Sequence, residues 1–143
     1  MKRTALNKLQ NWKNSPRRKP LIIRGARQAG KTWLMKEFGK TSFNETIYIN
    51  FENEPTLKNL FTQDYDVQRI LSTIQLYHGK KITPDDTLII FDEIQAVEGG
   101  ITSLKYFNEN APQYAIVAAG SLLGISLHEN QSFPVGKVSF LDL

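Results

Sequence analysis

The sequence predicts an α/β protein with a parallel sheet covered by helices on both faces. Three observations carry this. Short apolar or β-branched runs recur along the chain, segments of helical periodicity alternate with them, and the first run breaks into a glycine-framed loop that leads straight into a helix. Runs that are apolar nearly throughout, such as residues 87–91 (TLIIF) and 114–119 (YAIVAA), suit strands buried on both faces, as parallel sheets are.

Each element has its own warrant. Leu6, Leu9 and Trp12 recur at three-residue steps in a polar background and predict a short amphipathic helix anchored by Trp12. Residues 14–20 are polar and proline-bounded, a connector into a first strand over 21–24. Residues 1–19 thus form an N-terminal helix and basic connector, and 20–143 the core. After the loop, Leu34, Met35 and Phe38 share a helix face, and Gly39 can end that helix by turning left-handed. Residues 46–51 (TIYINF) make a second strand, closed by Glu52, Asn53 and Glu54. Pro55 suits the first turn of a short helix carrying Leu57, Leu60 and Phe61. Val67, Ile70, Leu71, Ile74 and Tyr77 follow the i, i+3, i+4, i+7 pattern, with Asp64 or Asp66 as cap and Gly79 as stop. A strand over 87–91 ends in Asp92 and Glu93. Leu104 and Phe107 mark another helix before Pro112, a fourth strand over 114–119 ends at Gly120 and Ser121, and 137–141 begins a fifth.

Composition bounds the function. At 143 residues, 41% hydrophobic and 22% charged, the chain has one domain's length and an ordinary globular balance. No apolar run reaches membrane-spanning length, and the basic start lacks the apolar core of a signal peptide, so the expectation is a cytoplasmic protein without a membrane partner. Cysteine is absent, which excludes disulfides, zinc ribbons and thiol catalysis. His78 and His128 are isolated and read as surface or capping residues rather than ligands. The net charge of +4 is uneven: residues 1–40 hold twelve Lys or Arg against Glu37 alone, and residues 41–143 hold six against thirteen acids. Lys2, Arg3, Lys8, Lys13, Arg17, Arg18 and Lys19 form either a solvated face or a contact for nucleic acid.

The segment LIIRGARQAGKT carries the chemistry. Gly25 and Gly30 bracket four residues and Lys31 and Thr32 follow, the G-x-x-x-x-G-K-[ST] spacing of a phosphate-binding loop. Glycine admits backbone angles that let successive N–H groups turn onto an anion. Lys31 would reach the β- and γ-phosphates, Thr32 offers a hydroxyl to Mg²⁺, and the helix beginning near Lys31 aims the positive end of its dipole at the same anion. A chance glycine turn would look similar in isolation, but this loop follows a predicted strand and precedes a predicted helix. In such a sheet the ligand lies at the carboxyl ends of the strands, where the loop, Asp92 with Glu93, and Ser121 converge. Asp92 is the candidate Mg²⁺ partner and Glu93 the candidate to orient or deprotonate an attacking water; a helix cap after a strand is the alternative for both. Ser121 is either part of this site or an ordinary Gly-Ser turn. Arg24 and Arg27 either touch phosphates or are solvated, and neither is assignable as an arginine finger.

Together the GARQAGKT loop, the LIIFDEIQ strand, the SLKYF helix and the AAGSLLG segment resemble the prokaryotic AAA-type ATPases with an RQxGKT loop, over nearly the whole chain. The resemblance implies a three-layer P-loop core of about five strands in the order 5-1-4-3-2. It also implies that Gly25, Ala26, Arg27, Gln28, Ala29, Gly30, Lys31 and Thr32 form the Walker A loop that binds ATP or ADP. By the same resemblance Asp92 and Glu93 are Walker B and Ser121 the polar sensor. Relatives continue past the fifth strand into a helical lid and a further domain, so a chain stopping at Leu143 is expected to be truncated and to turn over slowly or not at all. The leading expectation is an Mg-ATP-dependent conformational switch. A nucleic-acid-binding module using the basic N-terminal segment, and a nucleotide-binding remnant without turnover, are the alternatives. A metabolite kinase is disfavoured, because no acceptor-binding segment is evident.

Overall fold

The computed structural model describes residues 2–25, 30–121 and 136–143, with the side chains of Lys2 and Ser121 excepted. In chain order the elements are α1 (Lys2–Lys13), β1 (Leu21–Gly25), α2 (Lys31–Ser42), β2 (Glu45–Asn50), α3 (Val67–His78), β3 (Thr87–Asp92), α4 (Gly100–Asn110), β4 (Ala115–Ser121) and β5 (Ser139–Asp142). The five strands form one sheet in the order β2-β3-β4-β1-β5, and every pairing is parallel. This is the expected order 5-1-4-3-2 read from the other edge.

Alternation along the strands sorts their side chains onto two faces. Ile22, Ile47, Ile49, Ile89, Phe91, Ile116 and Ala118 face α3 and α4. Leu21, Ile23, Leu88, Ile90, Val117 and Ala119 face α1 and α2. Both faces are dry, which is why the central strands read as unbroken apolar runs. On the first face Phe91 is ringed by Phe51, Phe61 and Phe107, with ring centroids 5.5, 5.8 and 6.0 Å away. These aromatic contacts pin the carboxyl end of β3 and so fix where the next residue, Asp92, points.

The helix expected from Pro55 through Phe61 is a single 3-10 turn, Pro55–Leu57, with Leu60 and Phe61 buried in the turns that follow, and two further residues depart from expectation. Asp66 caps α3 by accepting from the N–H groups of Gln68 and Arg69, and Gly79 ends it left-handed at φ 66°. An N-cap of this kind stabilises a helix by about 1 kcal/mol. Asp64, exposed beside it, accepts from Arg69 Nε at 2.8 Å, and that bond holds its carboxyl below the usual carboxylate range. Tyr77, expected on the buried stripe of α3, is exposed, because the stripe ends at Ile74. Gly39 does not stop α2. The helix runs on to Ser42, and Gly39 lies inside it at the closest approach to β2, where a Cβ would collide with the side chain of Thr46. Its lack of a side chain serves packing rather than a turn.

The amino-terminal helix belongs to the same core: Ala5, Leu9 and Trp12 are buried against α2, with the Trp12 and Phe38 rings edge to face at 6.2 Å. The end of α1 and the connector are tied into the fold. Trp12 Nε1 donates to the Lys19 carbonyl at 2.6 Å, Lys13 Nζ to the Ser42 carbonyl at 2.5 Å, Arg18 to the Gln113 carbonyl at 2.8 Å and Lys19 Nζ to the Gly136 carbonyl at 2.9 Å. Arg3, Lys8 and Arg17 remain exposed. Among the described residues no helix is long and apolar enough to cross a membrane.

The Gly39 contact makes a direct prediction. Gly39→Ala should destabilise the chain by about 1 to 3 kcal/mol, the usual cost of overpacking, and Gly39→Ala with Thr46→Ala should recover most of it. Thermal melts of the two variants check this; an unaltered melt for the single variant would contradict the packing role.

Candidate nucleotide site

The carboxyl end of the sheet gathers residues far apart in sequence. β1 ends at Gly25, and α2 begins at Lys31 after Gly30, whose φ of 87° is a left-handed conformation suited to glycine. A Cβ at Gly30 would meet nothing within 4 Å, so the backbone angle, not crowding, calls for glycine there. Lys31 is buried, and its ammonium donates to the Gly25 carbonyl at 2.9 Å, joining the two ends of the loop. Ala26, Arg27, Gln28 and Ala29 lie outside the described residues, as does His128.

Opposite the start of α2 stands Asp92, the last residue of β3 and only 2% exposed. It falls on the α2 face by alternation with Leu88 and Ile90. Burying a carboxylate is costly unless its oxygens are satisfied, and here they are. Oδ2 accepts from Thr32 Oγ1 at 2.6 Å and from the Tyr48 hydroxyl at 2.5 Å, while Oδ1 accepts from the Glu93 N–H at 3.0 Å. Burial, then the hydrogen bond to Asp92 and its negative charge, push the Tyr48 phenol well above the ordinary tyrosine range, with Thr32 and Asn50 pulling the other way. Tyr48 is therefore a neutral donor at any physiological pH.

Glu93 has φ 51° and ψ 48°, the one non-glycine residue with positive φ among those described. Such a conformation costs on the order of 1 to 3 kcal/mol and concentrates at functional sites. The turn takes the glutamate out of the strand's alternation. Its Oε1 accepts from Gln95 Nε2 at 2.9 Å, and the other end of that amide, Oε1 of Gln95, is buried with no protein partner.

Thus Lys31, Thr32 and Asp92 come together, with Glu93 adjoining. The backbone of Ser121, in register with Gly25, leaves the sheet beside the loop, and nothing is described of its side chain. Arg24 turns instead to the edge strand: its Nε pairs with Asp142 Oδ1 at 2.7 Å and its guanidinium lies over the Phe140 ring. His78 is at the amino end of the sheet, two residues before Lys80, which pairs with Glu45. Tyr48 and Gln95 were not singled out from the sequence. Tyr48 was legible in principle, since it alternates with Ile47 and Ile49 onto the α2 face and lies two residues before Asn50, the register partner of Asp92. Gln95 had no such signal, because the turn at Glu93 breaks the strand period.

The residues fit a triphosphate with a small hard cation: a buried ammonium, a hydroxyl and a carboxylate adjoin a glycine-framed helix start. No group of three His, Cys, Asp or Glu that could hold a metal occurs among the described residues. No curated protein matches the chain. A family model described as an AAA domain matches residues 17–143. By that match, and by the parallel sheet in the order β2-β3-β4-β1-β5, the chain belongs to the AAA domain family and is a nucleotide-binding, ATPase-like P-loop domain.

Proposed function

We propose that the chain binds ATP with Mg²⁺ and hydrolyses it, and that this cycle drives a conformational switch. One observation carries the reading: the Thr32 hydroxyl meets the Asp92 carboxylate at 2.6 Å although the two are 60 residues apart. A structural cap on α2 would not need a buried acid from a different strand. Lys31 neutralises the β- and γ-phosphates through charge-assisted contacts. Thr32 keeps its lone pairs for the cation while its proton is committed to Asp92. Bound there, Mg²⁺ supplies charge stabilisation to the triphosphate.

In the hydrolytic step Glu93 takes a proton from the attacking water as the water oxygen bonds to the γ-phosphorus. The bond from that phosphorus to the bridging oxygen breaks, and ADP and phosphate result. Gln95 donates to Glu93 Oε1 and so steadies the carboxylate for this step. Ser121 leaves the sheet beside the loop and is the group proposed to read the γ-phosphate.

Lys31→Ala should abolish measurable ATP binding in calorimetric titration, since a buried charge and its phosphate contacts go together; unchanged affinity would contradict the site. Glu93→Gln should retain ATP affinity and lower turnover by about 10² to 10⁴, the range of general-base contributions. Turnover at the parental rate would place the base elsewhere.

A further inference from the structure

The Asp92 carboxylate has a second hydroxyl donor that the reading above leaves unused. Tyr48 reaches it from β2, and three contacts fix the phenol ring and its hydroxyl. Lys36 Nζ, one turn along α2 from Thr32, lies 4.1 Å from the ring centroid. The ring packs against the α2-side core, and the hydroxyl donates to Asp92 Oδ2. That oxygen is the one that receives Thr32 Oγ1. Two donors of 2.5 and 2.6 Å on one oxygen take up its accepting positions and set the rotation of the carboxylate about its last bond.

We propose that Tyr48 is a positioning residue: its hydroxyl holds Asp92 so that Oδ2 accepts from Thr32, and thereby orients the Thr32 lone pairs toward the metal. The inference rests on the Mg-ATP reading of this site. With Tyr48 in place, Oδ2 is committed to Thr32, and Asp92 would act on a bound cation through the Thr32 hydroxyl. Without the phenol proton, Oδ2 has one donor instead of two, and only Thr32 and the Glu93 N–H are left to set the rotation of the carboxylate. The phenol thus governs the coupling between nucleotide and metal, not the grip on the nucleotide alone.

The test is calorimetric titration of the full chain with ATP, in Mg²⁺ and in EDTA, for the parent, Tyr48→Phe and Asp92→Asn. Phenylalanine keeps the ring beneath Lys36 and removes only the hydroxyl. Tyr48→Phe should bind ATP in EDTA as the parent does, while the gain in affinity on adding Mg²⁺ falls about tenfold, the scale of one hydrogen bond to a charged group. An undiminished gain in Tyr48→Phe beside a diminished one in Asp92→Asn would overturn the role of Tyr48 and leave the metal reading standing. An undiminished gain in both would overturn the metal reading and this inference with it. An equal loss in Mg²⁺ and in EDTA would make the hydroxyl a general support of the fold, and overturn the proposal as well.

Discussion

The carboxyl end of this sheet depends on burying the Asp92 carboxylate with donors on both of its oxygens. A buried charge left unpaired costs several kcal/mol, so the surroundings must deliver those donors. They come from three places: the first turn of α2 through Thr32, the middle of β2 through Tyr48, and the chain's own next N–H at Glu93. Each requires a different part of the fold to be correct. Helix α2 must lie close to the sheet, which Gly39 permits where it passes Thr46. Strand β2 must pair with β3 in the register that sets Asn50 beside Asp92. The end of β3 must be fixed, and the ring of Phe51, Phe61 and Phe107 around Phe91 fixes it.

The two ends of the sheet divide the labour. At the carboxyl end, polar groups are buried close together and the backbone at Glu93 is held left-handed, a conformation that only a well-packed frame sustains. At the amino end, the last cation of α1 and two of the connector donate to backbone carbonyls and close the frame: Lys13 to Ser42, Arg18 to Gln113 and Lys19 to Gly136. Three cations that look from the sequence like an anion-binding stretch thus serve the fold. Reversing their charge would attack stability as well as any surface potential, so it is not a clean probe of nucleic-acid binding.

The strands were legible because burial on both faces leaves an apolar run that few other structures need, and α3 because its stripe and caps agree. The sheet order came from the resemblance of the motifs to a known family, since periodicity does not say which strands are neighbours. The convergence of Lys31, Thr32 and Asp92 at the carboxyl end of the sheet, with Glu93 adjoining, was legible from loop spacing and from position at strand ends. Tyr48 and Gly39 did not follow, for one physical reason: each matters through a neighbour on another element, Asp92 in one case and Thr46 in the other. Gly39 also shows how a residue type misleads, because a glycine near a helix end serves close packing as readily as a left-handed stop.

Thr32 and Asp92 are proposed to act on the bound nucleotide as one unit. A double-mutant cycle of Thr32→Val and Asp92→Asn, read as Mg-ATP affinity, tests it most directly. Strong coupling is expected, with the double variant losing little more than the worse single one and an interaction energy on the order of 1 kcal/mol or more, as for residues in contact. Losses that simply add would contradict it, and would make the 2.6 Å contact between them incidental to nucleotide binding.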